Sequence, residues 1–154
     1  MLKRTLTGAN SRCNDGSPAV MYMRPAPAGS PNANKWIVFF DGGGGCADED
    51  ACLERFCSLS GDIIDVAGKM SSLGAPPAID PPTGLLARQP GNRFGNWNHV
   101  LVHYCDSSDY VGSAAVKTLS PPSYPGMDYN IQFNGEAIAN DVFDTLIAGP
   151  TLPD

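Results

Sequence analysis

Residues 35–46 read KWIVFFDGGGGC, and this stretch decides the predicted fold because an apolar run passes directly into four glycines. The run at 35–40 is bounded by turn residues, which predicts a central strand covered on both faces of a sheet. The glycines at 42–45 then form a turn without side chains, so backbone amides are exposed at the carboxyl end of the strand. Such amides can stabilise a developing negative oxygen or bind a phosphate.

The segments around this stretch predict an α/β domain. Strands are expected at 19–24 and 99–104, and helices at 48–59 and 134–148. Long stretches that contain helices separate the strands, and this order is typical of a mainly parallel sheet. The helix at 134–148 should lead into another strand, but the chain stops soon after it. We therefore expect an incomplete domain.

The remaining segments predict little regular structure. Residues 1–12 are polar and are expected to form a loose N-terminal segment, which leaves 13–154 as one domain. Residues 60–98 and 106–128 are rich in turn formers and are expected to contain short elements at most.

Charge and hydropathy exclude two classes of partner. The formal net charge is −6 and no basic run is longer than two residues, so nucleic-acid binding is not expected. No apolar run approaches the roughly 20 residues that a membrane span requires. Polar residues follow Lys3 and Arg4 where a signal peptide would need an apolar stretch, so none is visible.

The five cysteines and two histidines do not suggest a metal site. No pair of cysteines has the C-x-x-C spacing of zinc ligands, and both histidines lie in one short stretch, so neither a metal nor another cofactor is expected. Disulfides in an oxidising compartment fit the cysteines better, and one cysteine is then left over.

The glycine turn has two alternative interpretations. Residues 42–47 fit the dinucleotide pattern G-x-G-x-x-A, and Asp62 lies about twenty residues on. Against this, Asp41 and the acidic run at 48–50 would repel a pyrophosphate, so we favour an oxyanion hole. A plain tight turn between strand and helix is the other alternative.

Other polar residues are weaker candidates. Asp106 and Asp109 could form a carboxylate pair for acid–base chemistry, but Asp also caps turns, and we favour the turn. His99 and His103 fall in a predicted strand and are interpreted as half-buried side chains. The acidic run at 48–50 lacks calcium-loop spacing and suits a helix N-terminus.

Five motifs, in order along the chain, resemble those of one enzyme family. They are C-N-D-G-S-P-A at 13–19, D-G-G-G-G-C at 41–46, N-W-N-H-V at 96–100, Y-C at 104–105 and F-N-G-E-A-I at 133–138. Their order and spacing resemble those of the pectinacetylesterase/Notum family. The resemblance runs from residue 13 to residue 147.

The resemblance implies an α/β-hydrolase-like serine carboxylesterase that deacetylates an acetylated polysaccharide outside the cell. If the glycine turn has the role that it has in the family, the backbone amides of Gly43 and Gly44 would form part of the oxyanion hole. The family nucleophile lies on a G-x-S-x-G turn after the next strand, and this sequence contains no such pattern. The chain is thus expected to be truncated before the nucleophile strand, with the Ser/Asp/His triad in a missing C-terminal half. The alternative is a non-catalytic remnant that binds a glycan or another partner.

The resemblance also bears on the cysteines and on the acyl group. Cys52 resembles the second cysteine of the family's glycine loop, so Cys46 is expected to pair with Cys52 and Cys13 with Cys105. Cys57 is then the odd thiol. The Notum branch has aromatic residues lining a fatty-acyl pocket where this chain has Gly44 and Gly45, which favours a polar acylated substrate.

Overall fold

The structure is a computed structural model that describes residues 1–60, 63–66 and 70–149 of the protein. These residues form eight strands and two helices. In chain order they are β1 (Leu2–Thr5), β2 (Val20–Arg24), β3 (Trp36–Phe40), α1 (Glu49–Phe56), β4 (Cys57–Ser60), β5 (Ile63–Val66), β6 (Asn98–Val102), β7 (Ala114–Leu119), β8 (Tyr129–Phe133) and α2 (Gly135–Ile147).

The main sheet is mixed, so the prediction of a mainly parallel sheet is wrong for the described residues. Its strand order is β1-β2-β6-β3. β3 and β6 are parallel, whereas β1 with β2 and β2 with β6 are antiparallel. The strands at the start of the chain reverse direction without a helical crossover, and only a crossover connection makes neighbouring strands parallel.

The predicted central strand lies at an edge of this sheet. Within the described residues β3 pairs only with β6. Trp36, Val38 and Phe40 pack against the core, while Phe39 is 38% exposed. An apolar run shows that both faces of a strand are partly covered, but it does not show how many of its edges are paired.

Residues 1–12 differ from the loose segment expected there. β1 pairs with β2 in the register Leu2 to Met23, and the ammonium of Met1 donates to the carbonyl of Ile79 at 2.5 Å. Met1 and Leu6 are buried. The segment is polar because β1 is an edge strand, where the exposed side chains face water while the backbone pairs.

The first helix is shorter than predicted, because α1 ends at Phe56 and the next residues form β4. β4 pairs with β5 in an antiparallel hairpin, with Cys57 opposite Val66. Hairpin pairing replaces helical hydrogen bonds over 57–60, so the helical position assumed for Cys57 is wrong. The side chain of Cys57 lies outside the described residues.

The second helix agrees closely with the prediction at 134–148. α2 buries Ile138 and Val142 completely. Two apolar residues of the same helix, Phe143 and Ile147, lie off this buried face and are 45% and 83% exposed. No helix in the described ranges is long and apolar enough to cross a membrane.

The loop predicted at 106–128 contains a strand, because β7 pairs antiparallel with β8. This second hairpin packs on α1: Leu119 and Ile131 are buried with Leu53 and Phe56 in one apolar cluster. β7 shows no clear alternation, but β8 reads YNIQF and alternates apolar with polar residues, and its apolar Tyr129, Ile131 and Phe133 all contact this cluster. That alternation is a strand signal which the sequence prediction missed.

Candidate active-site loop

The glycine loop at 42–45 lies at the edge of the sheet where β3 and β6 both end. Parallel strands bring their carboxyl ends to the same edge, so the loop after β3 meets the segment after β6. All four glycines are exposed. Gly44 has a φ of 74°, a left-handed conformation that glycine adopts readily.

Tyr104 holds the glycine loop in place. Its hydroxyl donates to the carbonyl of Gly44 at 2.8 Å. A Cβ added to Gly43 would lie 2.7 Å from Cε1 of the Tyr104 ring, and one added to Gly45 would lie 3.2 Å from the carbonyl oxygen of Ser107. The backbone of the loop therefore lies closer to the Tyr104 ring and to the Ser107 carbonyl than it could if side chains stood at these positions.

Three of the four glycine amides of this loop have no partner among the described residues. In the described part of the chain, the backbone N–H groups of Gly43, Gly44 and Gly45 have no hydrogen-bond acceptor. Only the amide of Gly42 is engaged, by the Asp41 carboxylate at 3.0 Å. Exposed donors on a fixed loop are what stabilisation of a negative oxygen requires.

Two disulfides fix the segments around the loop, and they are the two expected pairs. Cys46 is bonded to Cys52, which joins the end of the loop to α1, with a Cα–Cα distance of 4.9 Å. Cys13 is bonded to Cys105, also with a Cα–Cα distance of 4.9 Å, and both are completely buried. The second bond ties the entry segment to the residues that follow β6.

Asp106 and Asp109 have different surroundings and do not act as a pair. Asp106 is fully buried, and its Oδ2 accepts bonds from the backbone and hydroxyl of Ser108 and from the amide of Tyr110. These bonds to the residues that follow it agree with the interpretation of Asp106 as a turn-capping residue. Its Oδ1 is buried without a partner, and burial raises the pKa of the carboxyl. Ser107, Asp109 and Tyr110 all have φ between 51° and 62°, an uncommon backbone for such residues.

Both tyrosines at this edge are held as neutral phenols. Burial raises the pKa of Tyr104 to about 12, and it also raises the pKa of Tyr110. The Tyr110 hydroxyl donates to the carbonyl of Val102 at 3.1 Å, and its ring lies 4.8 Å from that of Phe40. Both groups therefore donate hydrogen bonds near neutral pH and anchor the edge of the sheet.

The two histidines have structural partners. His99 is fully buried rather than half-buried: Arg24 donates to its Nδ1 at 2.9 Å, and its Nε2 lies 2.8 Å from the carbonyl oxygen of Phe94. Arginine has no acceptor, so Nε2 carries the proton. Burial lowers the pKa of His99. His103 is half-buried, as predicted, and its Nε2 lies 3.1 Å from the carbonyl oxygen of Ser71.

The acidic run at 48–50 binds backbone and hydroxyl groups. Asp48 accepts from the amide of Ala51 at 2.8 Å, near the start of α1. Glu49 and Asp50 accept from the segment after β7, at the amides of Ser120 and Ser123, both at 3.1 Å. Among the described residues no group of three or more His, Cys, Asp or Glu could hold a metal ion. Asp62, invoked in the dinucleotide interpretation, lies outside the described residues.

Arg55 is a neighbour of the loop that the sequence did not reveal. A Cβ added to Gly43 would lie 3.5 Å from Arg55 Nη2, and one added to Gly44 would lie 3.8 Å from Nη1. The only available signal was its spacing: Arg55 follows Cys52 by three residues, which places both on one side of α1. The disulfide from Cys52 brings the loop to that side.

Comparison with known proteins identifies related sequences along almost the whole chain. The Pectinacetylesterase family profile matches residues 2–152. The palmitoleoyl-protein carboxylesterase NOTUM of Drosophila melanogaster is 32% identical over 149 residues, which are 95% of this chain and 20% of that protein. Pectin acetylesterase 11 of Arabidopsis thaliana is 29% identical over 140 residues, which are 88% of this chain and 30% of the plant enzyme. The chain thus spans less than a third of either relative.

A third relative is closer in length. The inactive palmitoleoyl-protein carboxylesterase notum1b of Danio rerio is 33% identical over 115 residues, covering 73% of this chain and 74% of that protein. Among solved structures, the Wnt deacylase Notum from Drosophila superposes with a TM-score of 0.76 at 30% identity. The match covers 96% of this chain and 38% of the Drosophila chain. The fold is therefore that of an α/β-hydrolase-like protein.

Proposed function

The chain belongs to the pectinacetylesterase family of carboxylic ester hydrolases, and on that premise we propose that it supplies the oxyanion-binding part of an esterase that deacetylates polysaccharide. The observation that carries the proposal is the exposed glycine loop, with amides at Gly43, Gly44 and Gly45 that have no acceptor in the described part of the chain.

In this reaction a nucleophile attacks the acetyl carbonyl, and its oxygen takes up the electron pair of the breaking π bond. The N–H groups of Gly43 and Gly44 would donate to that oxygen, which stabilises the tetrahedral intermediate. Tyr104 would act as a positioning residue because its hydroxyl fixes the Gly44 peptide. Collapse of the intermediate restores the carbonyl and breaks the bond to the sugar oxygen, which takes a proton from the general acid of the triad. The acetyl group then stays on the nucleophile until water attacks it and releases acetate.

The nucleophile is assigned to no residue of this chain. The 154 residues contain no G-x-S-x-G pattern, and both histidines are bound to backbone or arginine groups in the described structure. The Ser, Asp and His of a serine esterase would come from the part of such a hydrolase that this chain does not span. We propose that the 154-residue chain alone has no esterase activity.

The acyl group is proposed to be short. Gly44 and Gly45 are exposed and bear no side chains that could form an apolar wall beside the amides. The open loop would let a broad sugar ring approach. An acetylated polysaccharide is therefore the proposed substrate, and the two disulfides favour an extracellular location.

A second candidate is a non-catalytic protein that binds a glycan or another partner. It is favoured by the zebrafish relative named as inactive, 74% of which this chain covers. Such a protein would keep the disulfides and the glycine loop without a nucleophile.

Acetate release from acetylated pectin separates the two candidates. The longest gene product containing this chain should release acetate, and a serine-directed phosphonate should stop the release; the 154-residue chain should do neither. Binding of acetylated pectin by the long product without acetate release would favour the non-catalytic candidate. Turnover by the 154-residue chain that the phosphonate abolishes would contradict the proposed division of the catalytic groups.

A further inference from the structure

Among the described residues the half-buried side chain of Arg55 has no partner for its guanidinium. Its Nε is buried without a hydrogen-bond acceptor, and within the described residues the side chain forms neither a hydrogen bond nor an ion pair. A buried guanidinium normally has its donors satisfied, since leaving them unpaired costs free energy. An unsatisfied arginine beside an open loop therefore indicates a place for an acceptor that comes from outside.

The acidic groups near Arg55 in sequence are already engaged, and the nearest of them, Glu54, accepts the Tyr124 hydroxyl at 3.4 Å. Glu49 and Asp50 accept bonds from the segment after β7, and Asp41 accepts from the amide of Gly42. On the other side of the loop, the Asp109 carboxylate lies 3.2 Å from the Tyr104 hydroxyl, whose single proton goes mainly to the closer carbonyl of Gly44. These acids lower the local potential, but none of them forms an ion pair with Arg55 in the described structure.

Two kinds of donor, a guanidinium and backbone amides, therefore lie at one place on the surface. The Nη atoms of Arg55 come within 4 Å of where side chains on Gly43 and Gly44 would begin. The amides of these two glycines have no acceptor in the part of the chain that the structure describes. Because Cys46 is bonded to Cys52 one helical turn before Arg55, the loop and the guanidinium are fixed relative to each other.

We propose that Arg55 binds the carboxylate of an acidic sugar unit, next to the amides that receive the acetyl oxygen. A planar guanidinium pairs with a carboxylate through two parallel hydrogen bonds, which a neutral sugar cannot form. The residue would thus select uronate chains over neutral ones. This inference rests on the proposed function for the identity of the substrate, but the binding itself requires no nucleophile.

The test measures binding of a galacturonic acid trimer to the 154-residue chain by calorimetry, with a galactose trimer as the neutral match. The acidic trimer should bind the wild-type chain, the neutral trimer should bind at least about tenfold more weakly, and added salt should weaken only the acidic one. Arg55→Gln should bind the acidic trimer at least about tenfold more weakly than the wild-type chain does. Arg55→Lys should lose less affinity, since lysine keeps the positive charge but lacks the planar pair of N–H donors that binds both carboxylate oxygens.

Arg93→Gln is the matched control, because it removes the same charge from an exposed arginine beside Phe94. It should leave binding unchanged. Equal losses in both glutamine variants, equal binding of both trimers, or no binding by the wild-type chain would each overturn the proposal. If Arg55→Gln does not fold, as judged by circular dichroism, Arg55→Lys against wild type decides the matter. Hydrolysis of neutral p-nitrophenyl acetate by the longer gene product reports separately on the esterase assignment.

Discussion

The hydroxyl of Tyr104 donates a hydrogen bond to the carbonyl of Gly44 at 2.8 Å and so joins the segments that follow the two parallel strands. The same oxygen accepts the amide of Asp109 at 3.1 Å. One side chain therefore connects the glycine loop to the left-handed segment at 107–110. The orientation of the Gly44 peptide, and with it the neighbouring amides, depends on this phenol.

Tyr104→Phe should loosen the glycine loop with only a modest loss of stability. The substitution removes a single hydrogen-bonding group, so the free energy of unfolding should fall by about 1 kcal/mol. Amide order parameters from nuclear magnetic resonance should fall at 42–45. Tyr22→Phe, which removes a bond to the Pro76 carbonyl elsewhere, is the control and should leave these order parameters unchanged. An unchanged loop in Tyr104→Phe would show that this bond does not fix it.

Gly43→Ala should destabilise the protein, whereas Gly42→Ala should be tolerated. A Cβ on Gly43 would overlap the buried ring of Tyr104, while one on Gly42 would have no heavy atom within 4 Å. We expect a loss of about 1–3 kcal/mol for the first, as for other overpacked sites, and less than about 0.5 kcal/mol for the second. Urea denaturation measures both. Similar losses in the two variants would mean that Tyr104 moves aside freely.

Removal of the two disulfides should have unequal effects on stability. The Cys13–Cys105 bond spans 92 residues and the Cys46–Cys52 bond spans 6. On the chain-entropy account, replacing the first pair by alanine should cost about 4–5 kcal/mol and the second about 2 kcal/mol. Urea denaturation of the two double variants makes the comparison. A larger loss for the short loop would mean that packing around Cys46 and Cys52 stabilises the fold more than loop closure does.

Stability should decline as the pH falls below about 6.5, the ordinary pKa of histidine. Burial lowers the pKa of His99, so the unfolded chain takes up a proton that the folded chain does not. The contribution of neutral His99 to the free energy of unfolding is fully present above the pKa of the unfolded chain. It is lost as the pH falls toward the lower pKa of the folded protein. His99→Gln should reduce this slope between pH 7.5 and 5, measured by thermal unfolding, and an unchanged slope would contradict the role given to His99. Asp106, whose pKa is raised, acts in the opposite sense and is present in both the wild-type chain and the variant.

Local patterns in the sequence predicted those parts of the structure that depend on local contacts. The stripe of Ile138 and Val142 predicted α2, because helical period alone places both on one face. The apolar run before the glycines predicted a strand there. Neither pattern revealed that β3 lies at an edge, since edge or centre is decided by which other strands pair.

The elements that were missed depend on distant partners. β1 is polar and is held by pairing with β2 and by bonds to residues near 77–79, far along the chain. β7 is identified only by its pairing with β8, whereas the alternation of YNIQF in β8 was a local signal that the prediction missed. At the candidate site, the glycine motif was visible, but the approach of Arg55 and Tyr104 to Gly43 arises from the disulfide and the sheet edge, which no local pattern encodes.

The long disulfide also determines how the molecule would respond to force. If the chain were pulled from its two ends, the bond between Cys13 and Cys105 would carry the load across the buried core, and the residues between them would bear no tension. The stretched length would then be shorter by about 300 Å, because each residue contributes at most roughly 3.3–3.6 Å. The segment that carries the glycine loop lies within this shielded part of the chain. It would therefore keep its geometry under a tension that extends the flanking segments.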